Sequence, residues 1–119
     1  MKPAIKVKRI YEATSDEDGF RVLIDRLWPR GMKKENAHID VWRKDFAPSN
    51  ALRTWYGHVV DRWPEFQKKY KEELKLIDNE IMAFLNEHKF DTTITLLYGA
   101  KDELHNQAIV LQAWMQKHN

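Results

Sequence analysis

The segment RVLIDRLWPRG, residues 21–31, constrains this chain more than any other stretch. Its near-continuous apolar run predicts a strand over 20–27, buried on both faces. Asp25 and Arg26 nevertheless fall inside the second half of that run, and Trp28, Pro29, Arg30 and Gly31 stop it abruptly. An aspartate and two arginines where a core strand leaves its sheet are costly to bury unless paired. Two readings stay open: Asp25 and Arg26 form an internal ion pair that fixes the turn, or they face a ligand.

The rest of the chain bounds what that strand can join. At 119 residues it is long enough for one core and too short for two, so 1–119 is read as a single domain. With 43% hydrophobic residues and five tryptophans it is a globular composition. There is no cysteine, which excludes disulfides, thiolate chemistry and cysteine-ligated metal. No apolar run reaches membrane-spanning length and the N-terminus lacks a signal-peptide core, so a cytoplasmic protein is expected.

In chain order, 5–11 mixes β-branched and basic residues as an edge strand does, with Lys2, Lys6, Lys8 and Arg9 as edge protection. The acidic stretch 14–19 reads as a surface loop, and 39–43 alternates like a short third strand. Ser49 is a good N-cap for a helix carrying Leu52, Trp55 and Tyr56, stopped by Gly57. Trp63, Phe66, Tyr70, Leu74, Ile77, Ile81 and Leu85 recur at three- and four-residue steps and predict one long amphipathic helix. A strand over 92–98 follows, then a helix from about 103 to 117 with Leu104, Ala108, Leu111 and Met115 on one face. This order predicts an α/β fold: a small, mostly parallel central sheet with helices packed on it.

Ligands of open α/β sheets collect beyond the carboxyl ends of the strands. If the strands over 20–27 and 92–98 are parallel neighbours, Asp25, Arg26 and Arg30 share a rim with Lys101, Asp102, His105 and Asn106. Arginine forks suit carboxylate or phosphate, and a helix beginning near Asp102 would add its N-terminal N–H groups. Asp102 is equally a helix cap that would take an anion's place. Asp25 and His105 are the acid–base candidates; His105 has the plainer reading of a hydrogen-bonded surface histidine. Arg53 either reaches the rim or pairs with acidic neighbours. Neither Ser15 nor Ser49 sits in a nucleophile setting. Asp102 with His105, or His38 with Asp40, lacks a third ligand by spacing, so neither metal nor cofactor is expected.

These blocks carry a resemblance. The segments RVLIDRLWPRG (21–31), WRKDFAPS (42–49), LRxWY (52–56), TLLYGAKD (95–102) and HNQA (105–108) are similar to those of the YeaO-like proteins, a bacterial family of unknown function. The resemblance spans nearly the whole chain and implies an α/β fold. Departures fall at Gly99, where the family often has alanine, and Gln107, often histidine. Longer relatives end the corresponding strand in a cysteine-containing loop; this chain has Tyr98 there, so thiol chemistry does not carry over. By position the blocks add Lys44 and Arg53 to the rim set of Arg26, Arg30, Lys101, Asp102 and Asn106.

The leading expectation is an enzyme-like or ligand-binding domain taking a small anion at the rim. One alternative is a nucleic-acid-binding regulator using Lys2, Lys6, Lys8, Arg9, Lys33 and Lys34. No helix-turn-helix supports it, and a net charge of +2 is small. The other is a structural or partner-binding domain whose charges serve only the fold. No membrane partner is expected, and the sequence carries no signal for oligomeric state.

Overall fold

The computed structural model describes residues 2–118. Four strands, β1 (Ala4–Arg9), β2 (Phe20–Leu23), β3 (Val41–Trp42) and β4 (Thr93–Tyr98), form one sheet in the order β1-β4-β2-β3, with every pairing parallel. The two apolar strands are the central pair, where both faces need covering. Alternation sends Val22, Ile94, Leu96 and Tyr98 into the larger core and Leu23 and Leu97 into the smaller.

The larger core is closed by α2 (Asn50–Tyr56), α3 (Trp63–Leu76), α4 (Asp78–Glu87) and α5 (Gln107–His118). Over the smaller lie Trp28, Met32, Ile39, Trp42 and Ala37, the last from the single turn α1 (Lys34–Ala37). The α/β fold expected from the sequence is therefore the fold observed.

Three expected boundaries are corrected. The strand over 20–27 ends at Leu23; the Ile24 amide still reaches the Leu97 carbonyl at 3.0 Å, but Asp25 and Arg26 lie beyond the sheet. The single long helix is two, broken at Ile77, whose backbone (φ −116°, ψ 19°) is non-helical. Periodicity could not show this, because a one-residue break leaves the three- and four-residue spacing of Leu74, Ile77 and Ile81 intact. The last helix begins at Gln107, with Asn106 as its cap: Asn106 Oδ1 accepts from the amides of Ala108 and Ile109 at 2.9 and 3.3 Å. Leu104, outside that helix, is 73% exposed rather than in the core.

A fourth correction concerns the loop at 14–19. Asp18 is buried there, in an ion pair with Lys8 at 3.0 Å and another with Arg21. Arg21, itself buried, also donates to the carbonyls of Ala37 and His38. The loop can approach so closely because Gly19 (φ +64°) sits against Thr93: a Cβ at 19 would lie 2.2 Å from the Thr93 carbonyl oxygen.

Candidate functional site

Parallel pairing brings the ends of β2 and β4 to the same rim, and a cleft of about 530 Å³ opens there. That volume suits a metabolite-sized ligand. Its walls come from the segment after β2 (residues 25–30), from Pro48, from α2 and the turn after it, and from Gly99, Ala100, Asn106 and Gln107. Tyr56 stacks on Phe66 at a centroid distance of 4.4 Å and gives the cleft an aromatic wall.

Asp25 and Arg26 are both half-buried and hydrogen-bonded, though not to each other. The Gly99 amide donates to Asp25 Oδ2 at 2.9 Å, and Gln107 Nε2 donates to Oδ1 at 2.6 Å. Gly99 and Gln107, the two departures from the resembled pattern, are thus the donors to Asp25. Burial pushes its carboxyl up to about 6, against the lowering effect of those two donors. Arg26 instead donates from Nε to the Pro48 carbonyl at 2.7 Å and from Nη2 to that of Ala47 at 3.1 Å. It anchors the approach to α2, whose start Ser49 caps by accepting from the Leu52 amide.

Of the rim residues expected from the sequence, Asp25, Arg26, Arg30, Arg53 and Asn106 line the cleft together. Lys44, Lys101, Asp102 and His105 do not. Lys44 Nζ lies 4.1 Å from the centre of the Trp42 ring. Lys101 is exposed. Asp102 accepts from the amides of Leu104 and His105, and its Oδ2 lies 2.9 Å from His105 Nδ1. The Leu104 amide, first, and then His105 hold the Asp102 carboxyl below its ordinary range. Asp102 therefore organises a separate turn before α5. His105 packs edge-on to Trp63, so the two acid–base candidates do not share the cleft.

The helix terminus also differs from expectation. Asn106 already satisfies two N-terminal amides of α5, so the positive character of the cleft comes from side chains. Among the described residues that line it, Arg26, Arg30 and Arg53 are accompanied by one acid, Asp25. Sequence reasoning missed Tyr11, Tyr56, His58 and Gln107 as lining residues. Gln107 lay within the HNQA block and His58 beside the helix stop at Gly57, but neither position announces a cleft. Among the described residues no group of three or more metal-ligating side chains occurs, and no helix is long and apolar enough to cross a membrane.

Comparison with known proteins places the chain in a family. Residues 4–119 match the family described as the inactive DUF488-N3 subclade. The uncharacterised protein YeaO of Escherichia coli K12 is 40% identical over 113 residues, covering 94% of this chain and 96% of that protein. The uncharacterised proteins Mb3100c of Mycobacterium bovis and Rv3073c of Mycobacterium tuberculosis are each 37% identical over 107 residues, covering 90% of this chain and 89% of theirs. No solved structure matches.

Proposed function

The chain belongs to the inactive DUF488-N3 subclade, and from that premise we propose that it is a non-catalytic domain that binds a small organic anion in the rim cleft. One observation carries this reading: Arg30 and Arg53 line the same metabolite-sized cavity as the half-buried Asp25. Guanidinium forks recognise carboxylate and phosphate bidentately. Arg30 has no side-chain partner among the described residues, and Arg53 has only a long 3.5 Å contact to Asn50. The description of the subclade as inactive supports the non-catalytic half of this reading.

The basic edge strand favours this reading over a nucleic-acid-binding one. Lys8 is committed to Asp18, and Arg9 donates to the Ala100 carbonyl at 2.8 Å, so two of the six bases serve the fold.

Thermal-shift measurements against phosphate, sulfate and a panel of phosphorylated and carboxylated metabolites test the proposal. A rise in melting temperature is expected, and Arg53→Met should abolish it. Arg53 is the better probe than Arg26, because losing Arg26 also strips the Ala47 and Pro48 carbonyls of their donors. If the whole panel gives no shift at millimolar concentration, the charges are scaffold.

A further inference from the structure

The charges of the cleft are segregated rather than paired. Asp25 shares the cavity with three arginines, yet among the described residues it forms no ion pair. Each of its oxygens accepts one neutral donor, Gly99 N–H or Gln107 Nε2, and each keeps a further lone pair. Arg26, its neighbour in sequence, spends two donors on main-chain carbonyls instead. A half-buried carboxylate without a cation is unfavourable on its own. Burial pushes its carboxyl up to about 6.

We infer that the cleft's ligand is an amine-bearing organic anion, of the amino-acid or amino-phosphate class, whose acidic group engages Arg30 and Arg53 while its ammonium engages Asp25. A simple anion would satisfy the arginines and leave Asp25 facing added negative charge. A simple amine would do the reverse. A bipolar molecule complements both charges at once.

This inference rests on the anion-binding reading and is tested by matched probes. Calorimetric titration at pH 7.5 would compare phenylalanine with 3-phenylpropionate, and O-phosphoethanolamine with ethyl phosphate. In at least one pair the amine-bearing member should bind about tenfold tighter, as one charge-assisted hydrogen bond provides. Asp25→Asn should erase that difference while the response to the deaminated anion survives. Should Asp25→Asn fail to fold, carbon-13 titration of the wild-type Asp25 carboxyl gives the same information: O-phosphoethanolamine should lower its midpoint and ethyl phosphate raise it. Equal or tighter binding of the deaminated probes overturns the inference and leaves the anion site standing. Amine preference that persists in Asp25→Asn overturns the role of Asp25. Failure of all four probes overturns the inference, and failure of the whole anion panel as well overturns the site.

Discussion

Gly99 and Asp25 meet across the rim: the Gly99 amide donates to Asp25 Oδ2 at 2.9 Å, and a Cβ at position 99 would lie 2.8 Å from that same oxygen. The contact ties the end of β4 to the segment leaving β2 and holds the cleft's one carboxylate in place. Its neighbour in character, Gly19, is pressed against backbone rather than a side-chain tip.

That difference separates two alanine substitutions. Gly99→Ala should displace the carboxylate and cost about 1–2 kcal/mol, the scale of one hydrogen bond. Gly19→Ala must move the Thr93 carbonyl of a central strand and also adopt a positive φ. It should cost several times more or prevent folding, as chemical denaturation would show. Equal effects would mean that loop 14–19 yields.

Asp25 sets one pH dependence. Its folded carboxyl is raised from the ordinary 3.8 to about 6 by burial, so between those values the native state holds more protons than the unfolded chain. This contribution to stability is full below the unfolded value and is lost as pH rises through about 6. Asp25→Asn removes the titration. The variant should be more stable than wild type at about pH 8, by at most about 3 kcal/mol, and closer to wild type at about pH 4. Parallel denaturation curves at the two pH values check the sign.

Asp18 sets the opposite one. Burial works to raise its carboxyl, but the Ser15 amide and the Lys8 and Arg21 side chains together bring it below its ordinary value. Its contribution is present above the unfolded value and lost as pH falls through the folded one. Arg21→Met leaves Asp18 with Lys8 as its one ion-pair partner, beside the Ser15 amide, and strips the carbonyls of Ala37 and His38 of their donors. A loss of about 3–5 kcal/mol is expected, as for other broken buried pairs; a loss below about 1 kcal/mol would show that water replaces the guanidinium.

The helix break separates three apolar positions. Leu74 is 1% exposed, so Leu74→Ala should cost about 2–5 kcal/mol through the cavity it opens. Ile77, half-buried at the break, should cost less, and Leu76, at 84% exposure, almost nothing. A continuous helix would have placed Ile77 level with Leu74, so the order of the three melting temperatures tests the break directly.

Much of this architecture was legible in the residues themselves. The apolar runs at 20–24 and 93–98 specify central strands, since a strand covered on both faces needs apolar side chains on both. The three- and four-residue steps from Trp63 to Leu85 specify a helical face, and Ser49 with Gly57 brackets α2. The rim was legible too, because charges beside a core strand demand partners. Tertiary structure alone decided what those partners were. Asp25 takes donors 74 and 82 residues away, Arg26 takes carbonyls some twenty residues on, and Asp18 is drawn inward by Lys8 and Arg21. Side-chain type states that a charge must be satisfied; only the packing of distant segments determines by whom. The same limit separates Arg53, which the fold brings to the cleft, from Lys101 and His105, which sequence proximity to β4 does not.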